Sequence, residues 1–231
     1  MIHDLPALRD EAPVFRDRAE AGAVLAEMLT AYRWTEAIVL AIPSGGVPVG
    51  AEIARRLGLA LEVAVVSKVL LPWTTEAGFG AVAFDGSVWL DEEAVQGFAL
   101  RPSDVARAVE EARRKVERRV QALGGGRPLP PLGGRPSLLV DDGIAAGSTL
   151  RTAIAALRAH GASDLVVAVP TGHARALEAI ARLADTVYCA NLRAGFRFGV
   201  AEAYAQWRDI SEDEVVALLA PRPLGVRPPG S

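Results

Sequence analysis

The chain has 231 residues, 51% hydrophobic and 23% charged, and its 25 Lys+Arg against 28 Asp+Glu leave a net charge of −3. That composition excludes a disordered chain, and a pI near 5.7 argues against a dedicated nucleic-acid binder, which needs a basic footprint. The lone cysteine, Cys189, excludes an intrachain disulfide. No apolar run reaches the about 18 residues that suggest a membrane span, and the opening Met1-Ile2-His3-Asp4 lacks a basic-then-apolar leader pattern. The expectation is one sizeable domain, with room for a small subdomain, in a reducing, cytoplasmic setting with no membrane contact.

In chain order, residues 1–13 read as a loose N-terminal arm with two prolines, ahead of a domain over 14–220. Residues 17–32 place Ala21, Val24, Leu25, Met28 and Leu29 at helical spacing. The apolar run at 37–42 reads as a strand; it ends in Pro43-Ser44-Gly45-Gly46 and leads into a helix closed by Gly58. A second strand is expected at 61–66, an aperiodic loop at 70–79, and a hairpin of 80–84 with 87–90 around Asp85-Gly86. Residues 103–123 form a long helix with Ser103 as N-cap, an apolar stripe of Val105, Val109, Ala112, Val116 and Val120, and a supporting Glu110–Arg114 pair. A Gly/Pro connector follows, so that 85–136 is an insertion. Strand 137–140, helix 149–160 ended by Gly161, strand 165–169, helix 173–183 and strand 186–190 come next, and the tail 221–231 reads as disordered. Apolar strands alternating with helices predict an α/β fold with a mainly parallel sheet covered on both faces.

Chemistry concentrates in Ser137-Leu138-Leu139-Val140-Asp141-Asp142-Gly143-Ile144-Ala145-Ala146-Gly147-Ser148-Thr149. A strand ends in two adjacent carboxylates, and a turn of small residues then opens a helix. Ligands of open α/β sheets bind beyond the carboxyl ends of the strands. Free N–H groups at a helix start attract a phosphate, and Ser148 and Thr149 can add hydroxyl donors. The acids would repel that phosphate, so they suit hydroxyl groups or a metal. A sugar phosphate such as ribose 5-phosphate meets both demands. The plain alternative is a capped helix with solvated acids at a sheet edge.

This segment resembles the phosphoribosyl pyrophosphate signature of the type I phosphoribosyltransferases: four apolar residues, two acids, and a small-residue loop ending in Ser or Thr. The resemblance implies that Asp141 and Asp142 bind the ribose hydroxyls and that Gly143, Ile144, Ala145, Ala146, Gly147, Ser148 and Thr149 wrap the 5-phosphate. Pro43-Ser44-Gly45-Gly46-Val47 resembles the family's pyrophosphate loop, and 70–79 matches its flexible catalytic loop in position. Lys68, read as closing strand 61–66 beside the other strand ends, becomes a candidate for a pyrophosphate oxygen, and Glu76 a weaker candidate for Mg²⁺. Three positions depart from the family pattern. Ser44 stands where a basic residue is frequent, Gly143 where an aliphatic one is, and Ala146 where threonine is. Similarity extends over about residues 15–215 and is strongest to a bacterial group with a Pro-x-Gly-Gly loop, a Lys-Val pair and an Asp-Asp-Gly turn.

The resemblance further implies Mg²⁺ as cofactor, transfer of the phosphoribosyl group to a nucleobase-like or other acceptor, and a homodimer. In the 6-oxopurine branch a third aspartate follows the second acid by three residues; Ala145 stands there, so that branch's base catalysis is not available from this loop. Residues 195–209 are loosely similar to a purine-salvage closing segment, in which Phe198 would stack on a ring, although packing in the core is the commoner role for such aromatics. His160, His173 and Cys189 read as structural. Two rival readings remain: a non-catalytic phosphoribosyl pyrophosphate or nucleotide sensor that regulates a partner, and a phosphatase-like or receiver-like domain using the paired acids. The main reading requires both acids to face the ligand crevice; an inward salt link would count against it.

Overall fold

The computed structural model describes residues 1–74, 77–124, 129–195 and 198–220. Six parallel strands form the main sheet in the order β1 (Ile2–Asp4), β9 (Thr186–Arg193), β8 (Asp164–His173), β7 (Pro136–Val140), β2 (Ile38–Ala41) and β3 (Ala60–Val63). All four residues of β2 are buried, as expected for a strand covered on both faces. α1 (Arg18–Met28) and α2 (Gly46–Leu57) cover one face through Leu25, Val49, Ile53 and Leu57. α5 (Ser148–Ala159) and α6 (Ala174–Ile180) cover the other through Leu150, Leu157 and Leu177.

A smaller antiparallel sheet follows β3: β4 (Val66–Leu70), β5 (Gly78–Ala83) and β6 (Val88–Leu90). α3 (Glu92–Gly97) and the long α4 (Pro102–Gly124) come next, and α4 packs the predicted stripe, with Ala112 and Val116 buried, against this sheet. The 85–86 turn and the Glu110–Arg114 pair (2.9 Å) are as expected. α7 (Glu212–Leu219) is capped by Ser211, whose hydroxyl and the Glu214 carboxylate each accept from the other's backbone N–H.

Four expectations need correction. Residues 1–13 are not loose: β1 pairs with β9, and the buried Asn191 amide donates to the carbonyls of Leu8 and Glu11. The 61–66 strand is two strands in different sheets, because the chain leaves the parallel sheet after Val63. Lys68 therefore lies inside β4 rather than at a parallel strand's end. Ser103 does not cap α4, which starts one residue earlier at Pro102, a residue suited to a helix start. Finally, β8 continues past Pro170 to His173. Its pairing with β7 ends at Ala168, so the N–H that proline lacks is not missed there. The expected disordered tail and Glu76 lie outside the described residues.

Candidate functional site

Chain order reverses direction between β2 and β7: β2 leads outward to β3, and β7 leads the other way to β8 and β9. Such a switch point leaves a crevice at the carboxyl ends of the two strands. The two glycine-containing loops emerge there. Ala41 and Val140 are in register, and the Ile42 N–H donates to the Val140 carbonyl at 2.8 Å, so the 42–46 loop starts against the first acid.

Both glycines of that loop are required by contact. A Cβ on Gly46 would come within 2.7 Å of the Val140 carbonyl oxygen and 2.9 Å of the Asp141 Cα. On Gly45 it would fall 1.9 Å from the Asp142 carboxylate. Backbone of one loop and carboxylates of the other therefore occupy one compact site.

The turn after the acids divides into two parts. Ile144 is buried in the core, its N–H donates to the Thr171 carbonyl (2.9 Å), and its carbonyl accepts from the His173 N–H (3.1 Å). Its amide is thus committed to β8, which corrects its expected part in wrapping a phosphate. Ala145 and Ala146 are exposed, and among the described residues the N–H groups of Ala145, Ala146 and Gly147 meet no protein acceptor. Gly147 adopts a left-handed conformation (φ +81°) that a side chain would resist, and it starts α5 with no side-chain cap. Ser148 and Thr149 form the first turn of that helix, half-exposed. Gly143 is crowded by Val200 and Thr171, which explains why the position is not aliphatic.

The two acids differ. Asp142 is ion-paired with Arg18: the guanidinium Nε and Nη2 both lie 2.9 Å from Oδ2. Arg18 is itself 7% exposed. It donates to the Arg208 carbonyl (2.8 Å) and lies 3.8 Å from the centre of the Trp207 ring. The Tyr204 hydroxyl donates to the Asp142 carbonyl at 2.6 Å. The expectation that both acids face the crevice free of a salt link is thereby corrected: Asp142 is held in a largely buried pair with Arg18, and this counts against the main reading at that acid. Among the described residues Asp141 has no cation at hydrogen-bonding distance; one of its oxygens accepts from the Asp142 N–H at 2.9 Å. Burial, and then repulsion from Asp142, hold the Asp141 carboxyl well above the usual carboxylate range. Burial also raises Asp142, less so because Arg18 opposes it. The positive charge of Lys68 acts on both acids.

Ser44 is half-buried, and its Oγ accepts from Arg119 Nη2 at 3.0 Å. A cation thus reaches this loop from α4. Phe198 is half-buried outside the core clusters, its ring 6.1 Å from that of His173 and 5.9 Å from the Arg193 guanidinium carbon. The core role preferred for it is not what the structure shows. Cys189 is fully buried and its thiol is pushed up by burial, consistent with a packing role.

No cluster of three or more His, Cys, Asp or Glu among the described residues could hold a metal unaided. The adjacent carboxylates do offer hard oxygen donors, and Mg²⁺ commonly takes one or two carboxylates while ligand oxygens and water complete its shell. The residues present fit a cation shared with a ligand.

Residues 17–205 match the model of the phosphoribosyl transferase domain. The chain belongs to the phosphoribosyl transferase family. Two Mycobacterium tuberculosis proteins, each named "Putative phosphoribosyl transferase", are 38% identical to this phosphoribosyl transferase domain over 206 residues. Those residues are 89% of this chain and 46% of each relative, so the chain spans about half the length of the curated relatives it matches. The crystal structure of the Thermus thermophilus protein TT1426 superposes with a TM-score of 0.72 at 33% identity, covering 89% of this chain and 97% of that one. The phosphoribosyl transferase match includes Arg18, Asp141, Asp142, both glycine loops and Tyr204. It ends before Trp207.

Sequence reasoning missed Arg18 and Arg119. Each meets its partner across a long separation, 124 positions for Arg18–Asp142 and 75 for Arg119–Ser44, and each sits on a helix among other charged residues. No local pattern distinguishes them. α7 was also missed, although Ser211 and Glu214 are spaced as a capping box.

Proposed function

We propose that the chain binds 5-phosphoribosyl 1-pyrophosphate with Mg²⁺ and transfers the phosphoribosyl group to a nucleobase-like or other nitrogen acceptor, releasing pyrophosphate. The observation that carries this reading is the pairing, at one switch point, of unengaged amides at the start of α5 with the Asp141-Asp142 step. An anion seat beside two carboxylates suits a ligand with a phosphate at one end and hydroxyls next to it.

The acceptor nitrogen forms the new bond to ribose C1 while the bond from C1 to the pyrophosphate oxygen breaks; pyrophosphate leaves with the electron pair, and the acceptor then loses its proton. The amides of Ala145, Ala146 and Gly147, with the hydroxyls of Ser148 and Thr149, hold the 5-phosphate. Asp141 and Asp142 hold the ribose hydroxyls, and Arg18 keeps Asp142 ionised and fixed. Positive charge develops on the ring as C1 loses its bond, and the nearby carboxylates favour it. Mg²⁺, held by Asp141 and Asp142 together with the ligand, would supply charge neutralisation for the departing pyrophosphate. Phe198, whose ring lies 6.1 Å from that of His173, stacks on the acceptor ring in this reading. Ala145 offers no proton acceptor, so the acceptor's proton leaves to another group or to water.

Pyrophosphate release measured across a panel of purine, pyrimidine and amine acceptors tests the reading. Turnover is expected with at least one acceptor, and Asp142→Asn should lower it by about a hundredfold or more, as for loss of a charge-positioning group. Unchanged turnover in that variant would refute the role of the acid. Binding of the sugar diphosphate with no turnover on any acceptor would favour the sensor instead.

A further inference from the structure

We propose that His173 is the general base of the transfer, its imidazole taking the N–H proton of the attacking acceptor where Ala145 offers no group to do so; this rests on the function proposed above. The last residues of β8 bring His173 to the loop after the acids. Ile144 and Gly172 form a parallel bridge, and the His173 N–H donates to the Ile144 carbonyl at 3.1 Å. His173 is thereby fixed beside Ala145, at the start of the turn whose amides are unengaged. Its ring centre lies 6.1 Å from that of Phe198 with the planes at 60°, so the two rings do not stack on one another. Val200 crowds Gly143, which brings the segment after Phe198 over the same loop. An acceptor ring seated on Phe198 and facing the sugar therefore has the imidazole as a neighbour.

A structural role, the one expected from the sequence, leaves this imidazole without a partner. His173 stands at the N-cap of α6, yet its side chain makes no capping hydrogen bond, and Ser, Thr, Asp or Asn would serve better there. It is half-buried and outside the core clusters. Among the described residues its side chain makes no hydrogen bond or ion pair, and its ring contact is with Phe198. Nearby groups that could take a proton are engaged. Glu202 faces Arg193 at 3.5 Å. The Tyr204 hydroxyl donates to the Asp142 carbonyl, and burial pushes it up. Asp141 and Asp142 are committed to the ribose and the cation in the proposed function.

The charged groups on the elements around His173 are Arg193, in register with it on β9, Glu202 beside Arg193, Arg175 and Glu178 on α6, and Asp10, which accepts the Ala194 N–H at 2.7 Å. Histidine is the side chain among these types whose charge ordinarily changes between about pH 5 and 8. As the acceptor nitrogen bonds to ribose C1 and the C1–oxygen bond to pyrophosphate breaks, the N–H electron pair stays with that nitrogen and the proton passes to an imidazole nitrogen. The imidazolium then gives it to water.

Rates of pyrophosphate release against pH test this, with adenine, hypoxanthine, uracil and aniline as N–H acceptors and nicotinate as an acceptor whose ring nitrogen carries no proton. The parent should turn over at least one N–H acceptor, with kcat/KM falling on the acid side as one imidazole protonates. His173→Gln should lower that kcat/KM about a hundredfold, the lower end for general-base catalysis, and abolish the acid limb. Its binding of 5-phosphoribosyl 1-pyrophosphate with Mg²⁺, by calorimetry, should match the parent's, and any turnover of nicotinate should be untouched. His173→Ala leaves room for added imidazole, which should restore part of the rate; His173→Gln decides alone where the alanine variant fails to fold by circular dichroism. An unchanged kcat/KM in His173→Gln, an acid limb that persists in it and so belongs to Asp141, an equal loss for nicotinate, or a loss matched by weaker binding of the sugar diphosphate would overturn the assignment. Turnover confined to nicotinate would also overturn it, with the transfer reading left standing. A parent protein that releases pyrophosphate with none of the five would overturn the transfer reading itself.

Discussion

The Arg18 guanidinium lowers the cost of ionising Asp142, and among the described residues no cation does the same for Asp141 at hydrogen-bonding distance. Asp141 is therefore the acid that keeps a proton to higher pH, with burial the main cause and its ionised neighbour the second. Because its folded pKa exceeds the ordinary 3.8, the folded state binds more protons than the unfolded one between those two values. Stability from this residue falls as pH rises from about 4 through the raised pKa, then stays at its lower level. Asp141→Asn removes that titration. The variant should melt a few degrees above the parent at pH 8, at about 2–4 °C per kcal/mol for a chain of this size, and close to it at pH 4. The difference between the two melting profiles isolates the residue, because lowered carboxylates such as Glu214, held down to about 2 by Arg208, tilt both profiles alike. Identical profiles would show that Asp141 carries no buried penalty. Ligand affinity should move the opposite way, since the same substitution removes a grip on the sugar.

At the scale of elements, α1 and the 204–209 segment are joined through one side chain. Arg18 pairs with Asp142, donates to the Arg208 carbonyl and lies against Trp207, while Tyr204 closes the ring of contacts onto the Asp142 carbonyl. Removing one partner of a largely buried ion pair typically costs about 3–5 kcal/mol. Arg18→Met should lower the urea midpoint accordingly and shift Trp207 fluorescence as its cationic neighbour goes. Arg18→Lys should recover little, because an ammonium lacks the planar fork and the stacking face. A variant with parent stability and spectrum would mean that the closing segment is held by other contacts. This junction was not legible in the sequence, whereas the loops it braces were. Strand, glycine and acid lie within a dozen residues of one another in the Val140 segment, so local pattern exposes them. α4 was legible through its valine stripe, and α2 through Gly58, which ends it at φ +68°. β3 and β4 were merged because 61–66 is apolar but for Glu62 and nothing local marks the change of sheet. β1 was missed because three residues at a sheet edge, half-exposed, carry almost no periodic signal.

For the molecule as a whole, the question is whether the small sheet and α4 fold as part of the parallel-sheet domain or apart from it. Ala41, Val47 and Val63 of the main domain share one core cluster with Val69, Phe79 and Val82 of the small sheet and with Ala112 and Val116 of α4. Val215 of α7 closes the same cluster, so the element carrying Glu212 is held by it as well. No interface in that cluster could part without exposing buried aliphatic side chains, at about 25 cal/mol per Å² of apolar surface. Scanning calorimetry should therefore show one cooperative transition. Adding 5-phosphoribosyl 1-pyrophosphate with Mg²⁺ at about a hundred times its dissociation constant stabilises the folded state by about 2.7 kcal/mol, which should raise that single transition by about 5–10 °C. Two transitions, with the ligand moving only one, would mean that the small sheet with α4 and the parallel sheet with its acids are units that can separate. The ligand would then be held by the parallel sheet alone. A single transition that moves as one is what the shared cluster requires, because a ligand that stabilises the acids after β7 then stabilises the small sheet and α4 through Ala41, Val47 and Val63.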